Sequence, residues 1–510
     1  MQTSAIGPVT PQERIQTIDI LRALALLGVV IANFTVDNGD VTPEEGRTWF
    51  FDQLAYWPIR FFIDDKAMAT YCFLFGLGFS IQMLRAEARK APFVFLHIRR
   101  VIALFIIGIT ASILSNETIP HEYAMVGLLL LLFYKIPRKF LPALALLCVL
   151  VPFGRILVNQ QKAAATINSR KVISVDTNLL KTYEGVYQVT PQINQIILRK
   201  GNELIGEGPA RQYHLVALSD SAFGRPDANT KITFLKDSTG IINRYEVTGA
   251  SGRKTTSPKI NTDLNEALKK QLELRAIISK QKDTLSYKQF IVKNYNDVLD
   301  RFKTWSWSEF FLGNDITGIL SFFLFGLYAG RRRIFYDVAS NKQFLKNVMR
   351  WGFLIGVIGM SINLGFEVWN LINGFKWRSY PPLTRSWFFI SWELGVMATT
   401  FAYAAGLILL LENDNWKKRL SFLAPVGRMG FTNYLLHIIP YVILFHYGFN
   451  LSGKIGPFYR LLLALPVYVT LIFLSRWWFK RFKLGPVEWL WRSLTYLKFQ
   501  PMRLNKSENI

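Results

Sequence analysis

Long runs of apolar residues recur along the chain and constrain its fold more than any other feature. Residues 101–114 read VIALFIIGITASIL, residues 123–134 read YAMVGLLLLLFY, and hydrophobic residues make up 51% of the 510-residue sequence. A soluble domain has no need of such runs, whereas a helix that crosses a bilayer needs about 20 predominantly apolar residues. The sequence therefore predicts an all-α polytopic membrane protein.

Ten transmembrane helices fit this pattern. They cover residues 18–34, 66–84, 99–115, 122–134, 140–158, 310–330, 351–371, 387–411, 428–446 and 459–479. Lys and Arg concentrate in alternate connections and in the C-terminal tail, while the short loops on the opposite side carry only five of these residues. Because basic loops stay in the cytoplasm, both termini are predicted to be cytoplasmic.

The net charge of +25 belongs to this topology signal. Since the basic residues flank apolar spans, membrane lipids are the expected partners and nucleic acid is not. Cys72 and Cys148 both lie inside apolar stretches, so neither a disulfide framework nor a metal site is predicted.

A polar insert, residues 159–305, interrupts the series of spans. The membrane domain is thereby divided into residues 1–158 with spans 1–5 and residues 306–510 with spans 6–10 and the tail. The span count places the insert outside the cytoplasm, and long translocated segments largely escape the positive-inside bias. Within it, short strands and hairpin turns over residues 180–260 predict an antiparallel β-barrel or sandwich, and residues 261–303 are predicted to be helical.

The strand region of the insert resembles a known envelope domain. The phrases YEGVYQV and KITFLKDSTGIINRYEVTG are similar to the small lipocalin-like domain appended to some penicillin-binding-protein-like serine peptidases. No Ser-x-x-Lys motif precedes them, so the resemblance implies a fold and not a peptidase. The insert is interpreted either as a solvated structural cap or as a barrel whose mouth holds a substrate or an envelope partner.

Three charges crowd the start of the first span, RIQTIDILRALALLGVVIANF. Asp19 and Arg22 are spaced i, i+3, so a helix places them on one face, where they can pair. An unpaired charge in a span costs about 2.5 to 3.5 kcal/mol on insertion scales. We therefore predict that Asp19 and Arg22 pair on the inward face, with Arg14 at the cytoplasmic edge.

Five stretches resemble the YeiB-like family of bacterial inner-membrane proteins, a domain of unknown function. They are the Arg14–Asp19–Arg22 opening with its apolar run, KAMATYCFLFGLGFSIQMLRA, SFFLFGLYAGRRRIF, VGRMGFTNYLLH and LGPVEWLWRSLTY. The resemblance covers nearly all of the chain outside the insert. It implies the bacterial inner membrane as the location, with the insert extracytoplasmic.

The YeiB-like family is distantly similar to membrane acyltransferases that modify sugars. The resemblance implies that Arg14, Asp19 and Arg22 help to hold an anionic acyl donor, acyl-CoA, at the cytoplasmic side, with no metal involved. It also implies an envelope glycan or lipid as the acceptor. A guanidinium suits a phosphate because its donors form a bidentate fork.

The chain departs from relatives where they place a catalytic histidine late in the third span, since Ala111 stands there. Glu117, His121 and Glu122 are the nearest titratable residues, and a His flanked by carboxylates can act as an oriented base. His437 is the other candidate. The alternatives are a solvent-exposed loop histidine for His121 and a buried structural histidine for His437.

The late phrases supply further candidates. Arg428 in VGRMGFTNY lies at a cytoplasmic span end, and we predict that it converges with Arg14 and Arg22 on one cavity. Three guanidinium groups stay close only when an anion offsets their repulsion. Asn433 either faces the same donor site or bridges two helices, and GPVEWLWR is interpreted as an interfacial amphipathic helix.

Three classes of function remain open from the sequence. The first is an acyltransferase-like enzyme that moves an acyl group from a cytoplasmic donor to an envelope acceptor. The second is a transporter or lipid-handling protein in which the same charges line a pathway. The third is a non-catalytic envelope protein whose insert recruits partners.

The predicted topology is testable by cysteine labelling. In a chain with Cys72 and Cys148 replaced by Ala, Ser238→Cys should react with an impermeant maleimide in intact spheroplasts, because the insert is predicted to be extracytoplasmic. Ser340→Cys, in a predicted cytoplasmic loop, should react only after lysis. Labelling of Ser238→Cys only after lysis would overturn the topology.

Overall fold

A computed structural model describes most of the chain. The described residues are 14–36, 49–116, 119–151, 153–154, 175–190, 193–208, 212–225, 230–248, 254–281, 286–303, 314–373, 382–449, 451 and 454–504. They form two compact units. One comprises residues 1–155, 286–377 and 383–510, and the other comprises residues 156–285 and 378–382.

The first unit is helical. Its helices are α1 (Gln16–Thr35), α2 (Phe50–Phe62), α3 (Lys66–Ala88), α4 (Phe93–Ser115), α5 (Ile119–Phe133), α6 (141–151), α9 (Tyr287–Lys303), α10 (Asn314–Arg331), α11 (Val338–Asn373), α12 (Pro382–Leu410), α13 (Asp414–Leu420), α14 (Ala424–Arg428), α15 (Gly430–Val442), α16 (Pro457–Phe479) and α17 (Pro486–Tyr496). The second unit contributes α7 (Thr177–Tyr183) and α8 (Leu264–Gln281).

Six helical segments among the described residues are long and apolar enough to cross a membrane. They begin at Gln16, Phe50, Phe93, Val338, Ser386 and Pro457. Three shorter apolar helices cover Ile119–Phe133, Ile316–Arg331 and Gly430–Phe445. The prediction of a polytopic helical membrane protein is confirmed, whereas the count of ten spans stays a prediction.

Helix α2 was not predicted from the sequence. Its 13 residues, FFDQLAYWPIRFF, lie in the stretch before the predicted second span, and Pro58 stands inside it. Asp52 of this helix accepts a hydrogen bond of 3.0 Å from the backbone N–H of Phe458. The first turn of a helix has unpaired N–H donors, so α2 caps the start of α16.

Helices α3 and α10 cross at two glycines. A Cβ on Gly76 would lie 2.0 Å from the carbonyl oxygen of Phe323, and a Cβ on Gly326 would lie 2.1 Å from that of Phe73. The phrases FLFGLG and FLFG therefore bring two backbones into direct contact, as small residues do in membrane helices. Gly78, two residues further along α3 and therefore on a different face, has nothing within 4 Å of its would-be Cβ.

The second unit is a closed antiparallel β-barrel. Its strands are β1 (Gly185–Thr190), β2 (Ile193–Lys200), β3 (Glu203–Glu207), β4 (Gln212–Ala217), β5 (Ala222–Arg225), β6 (Thr230–Lys236), β7 (Ile242–Thr248) and β8 (Lys254–Ile260). They pair in sequence order, and Val186 of β1 pairs with Ile260 of β8 to close the barrel. The predicted antiparallel barrel is confirmed.

Side chains fill the interior of this barrel. Tyr187, Phe223 and Phe234 are all buried and pack together with Tyr183 of α7. The Tyr183 hydroxyl donates a hydrogen bond to the carbonyl of Asp220. A barrel packed with aromatic rings supports the interpretation as a structural domain rather than as a substrate-holding mouth.

The two helices that follow the barrel belong to different units. Helix α8 packs on β1 and β2 through Ala267, Leu264 and Leu268. Helix α9 packs on α4, where the Asn294 amide donates a hydrogen bond of 3.1 Å to the carbonyl of Ile113. Residues 287–303, which the sequence groups with the insert, are therefore part of the membrane unit.

Gly76→Ala and Gly78→Ala form a matched pair. The added methyl should destabilise the protein by about 1 to 3 kcal/mol at Gly76, because it collides with the Phe323 backbone, which cannot rotate away. At Gly78 it meets open space and should leave the midpoint of thermal unfolding unchanged. Tryptophan fluorescence of the purified variants in detergent measures both, and equal midpoints would contradict the crossing.

Candidate functional site

The charged opening of α1 forms the predicted pair. Arg22 Nη1 lies 3.1 Å from Asp19 Oδ1, and the Asp19 residue is only 4% exposed. The backbone carbonyl of Arg22 accepts a hydrogen bond of 3.1 Å from the Tyr71 hydroxyl of α3. Arg14 precedes the helix at the same end. Asp19 is thus a carboxylate near two arginines, Arg22 on the helix and Arg14 just before it.

A glycine brings Arg428 to this opening. A Cβ on Gly427 would lie 1.7 Å from the backbone carbonyl oxygen of Asp19, so only glycine allows α14 to approach α1 this closely. Arg428 follows directly, with its guanidinium 4.0 Å from the centre of the Phe479 ring. The Gly-Arg step in VGRMG therefore serves close packing first and the placement of Arg428 second.

Glu488 of α17 caps α15. Its carboxylate accepts hydrogen bonds from the backbone N–H of Phe431 at 2.7 Å, the N–H of Thr432 at 3.1 Å and the Thr432 hydroxyl at 2.6 Å. Burial raises the pKa of Glu488. These donors are the unpaired groups of a helix start, so the interpretation of GPVEWLWR as only an interfacial helix is incomplete.

The rest of α17 also reaches α4. Trp491 Nε1 donates a hydrogen bond of 2.8 Å to the carbonyl of Arg100, and the Arg100 guanidinium lies 4.2 Å from the centre of the Trp491 ring. This contact fixes α17 across the ends of two spans. Arg492, the next residue, consequently lies beside Arg14 and the α1 opening.

These elements enclose a cavity of about 330 Å³. Six arginines line it: Arg14, Arg22, Arg85, Arg100, Arg428 and Arg492. Among the described lining residues the only carboxylates are Asp19 and Glu488, and both accept hydrogen bonds within the protein. The remaining lining is largely apolar and includes Met68, Phe75 and Ile119. Arg14, Arg22 and Arg428 therefore converge on one cavity, as predicted.

Positive charge dominates one end of this cavity. Within the described part of the chain, Arg14, Arg428 and Arg492 donate no hydrogen bond to a carboxylate. Burial lowers the pKa of Arg492, and the charge of Arg14 lowers it further. Burial likewise lowers the pKa of Arg14. Each shift reflects mainly the cost of withdrawing a cation from water.

His121 lines a second, smaller cavity of about 150 Å³ together with Glu122 and Arg301. The first turn of α5 lines both cavities, because Ile119, Pro120 and Tyr123 face the first one. His121 is buried rather than solvent-exposed. Its Nδ1 lies 2.9 Å from the Ser112 hydroxyl of α4. The predicted partner Glu117 lies outside the described residues.

The other two polar candidates serve packing. His437 is 0% exposed, its Nδ1 contacts the carbonyl of Tyr434, and its Nε2 lies 3.1 Å from the Asn33 amide. Asn433 donates hydrogen bonds to the carbonyl of Val426 at 3.1 Å and to the Ser475 hydroxyl at 2.8 Å. Neither lines either of the two cavities. These contacts favour the structural alternatives, and the catalytic role of His437 and the donor-binding role of Asn433 stay predictions.

Comparison with known families divides the chain in two. Residues 14–203 match the catalytic domain of heparan-alpha-glucosaminide N-acetyltransferase, and residues 329–498 match a family described as a protein of unknown function, DUF418. The first match includes the α1 opening and His121, and the second includes Arg428 and Arg492. Neither match covers residues 204–328.

Three curated bacterial proteins are similar to this chain. The uncharacterized protein YxaH of Bacillus subtilis (strain 168) is 26% identical over 513 residues, covering 98% of each chain. An uncharacterized 39.9 kDa protein in the amylase 3' region of Bacillus acidopullulyticus is 23% identical, covering 98% of this chain and 99% of that protein. The uncharacterized protein YeiB of Escherichia coli (strain K12) is 32% identical over 30% of this chain and 38% of its own length. No solved structure matches.

The helices and the arginine-lined cavity define a polytopic membrane protein with an internal, positively charged cavity. The family matches and the relatives identify it further. The chain is similar to the YeiB-like family over its second half and, over its first part, to the catalytic domain of an N-acetyltransferase.

Glu488 is expected to hold the cavity wall in place. Glu488→Ala removes the acceptor of two backbone N–H groups and one hydroxyl, and leaving them unpaired costs about 1 to 3 kcal/mol per group. Glu488→Gln keeps one strong acceptor oxygen and should destabilise less. Thermal unfolding of purified protein measures the order.

Glu412→Ala is the control for this series. Glu412 makes a surface ion pair of 3.0 Å with Lys342, and such pairs contribute roughly 0 to 1 kcal/mol. If Glu488→Ala unfolds at the same temperature as Glu412→Ala, the capping role of Glu488 is wrong.

Proposed function

We propose that this protein is a membrane acyltransferase that takes an acyl group from a cytoplasmic thioester donor, acyl-CoA, and passes it to a glycan or lipid acceptor of the bacterial envelope. The observation that carries this proposal is a single cavity with arginines at one end, called here the arginine mouth, and mostly apolar side chains along the rest. The membrane is the inner membrane, with both termini in the cytoplasm.

The positive charge of the arginine mouth suits the phosphate-bearing part of the donor. Six arginines face two carboxylates, which are already engaged by Arg22 and by the start of α15. Arg14, Arg428 and Arg492 form no ion pair with a described carboxylate, and they come from three separate segments. Guanidinium forks bind phosphate oxygens bidentately. A ligand with several phosphates would offset the repulsion among them.

The apolar part of the cavity suits the acyl thioester arm of the donor. From the arginines the cavity extends past Leu74, Phe75 and Met68 to Ile119 and Pro120 at the start of α5. Its volume of about 330 Å³ suits a slender chain rather than a bulky head group. An acyl thioester arm would lie in this apolar part with its carbonyl directed toward α5.

His121 is the candidate general base. It follows Pro120, which lines the end of the donor cavity, but its side chain faces the second cavity. A base on that side would act on an acceptor that approaches from the second cavity, while the acyl group arrives from the first. The thiol of the donor would leave toward the arginine mouth, and the ester or amide would form near the first turn of α5.

Coenzyme A binding tests the donor site. Isothermal titration of coenzyme A into purified protein should give affinities weakened about tenfold or more in Arg14→Gln, Arg428→Gln and Arg492→Gln, since each loses a charge-assisted contact of about 1.5 to 3 kcal/mol. Arg419→Gln is the matched control. Arg419 lies on α13 beside the Trp416 ring and does not line the cavity.

The reaction itself is tested by release of free thiol from acetyl-CoA. Wild-type protein should consume the thioester, and the arginine variants should require higher acetyl-CoA concentrations. Unchanged affinity in all three variants would contradict the donor site. Competition by phosphatidylglycerol without any thioester consumption would favour a lipid-handling protein instead.

A further inference from the structure

We propose that the second cavity is an acceptor subsite for an anionic, hydroxyl-bearing compound of monosaccharide size, and that Arg301 of α9 holds its anionic group. This inference deepens the proposed function and depends on it for the transfer step, but not for ligand binding. The cavity is lined by residues of α5 and α9 and by Ile316 of α10, and its volume is about 150 Å³.

The walls of the cavity combine an imidazole, a carboxylate and a guanidinium with apolar side chains. His121 and Glu122 come from the first turn of α5, and Arg301 and Phe302 come from the last turn of α9. Arg301 makes no ion pair with another described residue. Its guanidinium suits a carboxylate or phosphate, whereas Glu122 can accept hydrogen bonds from hydroxyls.

Helix α9 is held firmly enough to present Arg301. Besides the bond from Asn294 to Ile113, the Tyr287 hydroxyl donates a hydrogen bond of 3.4 Å to the carbonyl of Leu114. At the other end of α9, the Phe302 ring lies 6.3 Å from the Phe105 ring of α4. These contacts span the helix from its first to its last turn, so Arg301 has a defined position.

Ser112 orients the histidine toward this cavity. The Ser112 hydroxyl donates to the carbonyl of Gly108 at 2.9 Å, and a carbonyl can only accept. While it does so, the same hydroxyl can accept the Nδ1 proton of His121, which lies 2.9 Å away. In that arrangement the lone pair of His121 is on Nε2 and is available to an acceptor hydroxyl. Gly108 permits this arrangement, because a Cβ there would lie 2.4 Å from the His121 backbone nitrogen.

The transfer step balances with these groups. His121 Nε2 takes the proton from the acceptor O–H as that oxygen forms a bond with the thioester carbonyl carbon. The C–S bond breaks, and the departing thiolate receives the proton from His121. The products are an ester of the acceptor and a free thiol.

Footprinting with diethyl pyrocarbonate tests binding without catalysis. The reagent modifies a neutral imidazole nitrogen, and mass spectrometry follows the peptide that contains His121. Glucuronate should protect His121 at a concentration about tenfold lower than glucose, which has the same ring without the carboxylate. Glucosamine, with a cationic group, should protect no better than glucose.

Variants assign the preference to Arg301. Arg301→Gln should abolish the difference between glucuronate and glucose, and Arg301→Lys should restore part of it because the charge returns without the fork. Lys293→Gln is the matched control, since Lys293 is exposed on the same helix and does not line the cavity. Equal protection by all three sugars, or a preference that persists in Arg301→Gln, would overturn the subsite.

Transfer from acetyl-CoA separates this inference from the proposed function. Glucuronate-specific protection without any thioester consumption would support the subsite and contradict the acyltransferase. Acetyl transfer to glucose and glucuronate with equal efficiency, unaffected by Arg301→Gln, would support the acyltransferase and contradict the subsite.

Discussion

The cavity depends on holding several positive charges close together at the ends of helices. Coulomb repulsion among guanidinium groups grows as water is excluded, so the fold has to impose the proximity. It does so through backbone contacts that need no charge. Gly427 lets α14 touch α1 at Asp19, and Trp491 ties α17 to the backbone of Arg100. The arginines are therefore brought together before any ligand offsets their charge.

Two carboxylates stabilise this scaffold by capping helices that are distant in sequence. Glu488 caps α15 and Asp52 caps α16, and each comes from a chain segment far from the helix that it caps. A capping carboxylate also interacts favourably with the positive end of the helix dipole. The starts of α15 and α16 are consequently positioned by residues of α17 and α2.

Local spacing explains which parts of the site the sequence could predict. The i, i+3 spacing of Asp19 and Arg22 and the basic span ends were sufficient for the pair and for the convergence of Arg14, Arg22 and Arg428. Arg100 and Arg492 were not predicted as site residues, because their positions depend on how α17 folds back onto α4. The basic Arg99–Arg100 step and the Arg in GPVEWLWR were the available signals.

The roles of the histidines depended on contacts that no local pattern contains. His437 meets Asn33, a residue of the first span, and His121 meets Ser112 across a helix pair. The pattern of apolar runs predicted membrane helices well, but it did not predict α2, whose apolar residues are too few for a span. The barrel was predictable because its hairpin turns are local, whereas its closure required the pairing of β1 with β8.

That closure has an entropic consequence for the whole chain. Because β1 and β8 are neighbours, the chain enters and leaves the barrel at nearly the same place. The two ends of the barrel are roughly eighty residues apart in sequence, but in the folded barrel they are neighbours in space. The barrel therefore constrains its flanking segments much as a short loop would. The entropy of closing a connection grows only with the logarithm of its effective length. A membrane protein can therefore carry such a domain between two helices without a large penalty for bringing those helices together.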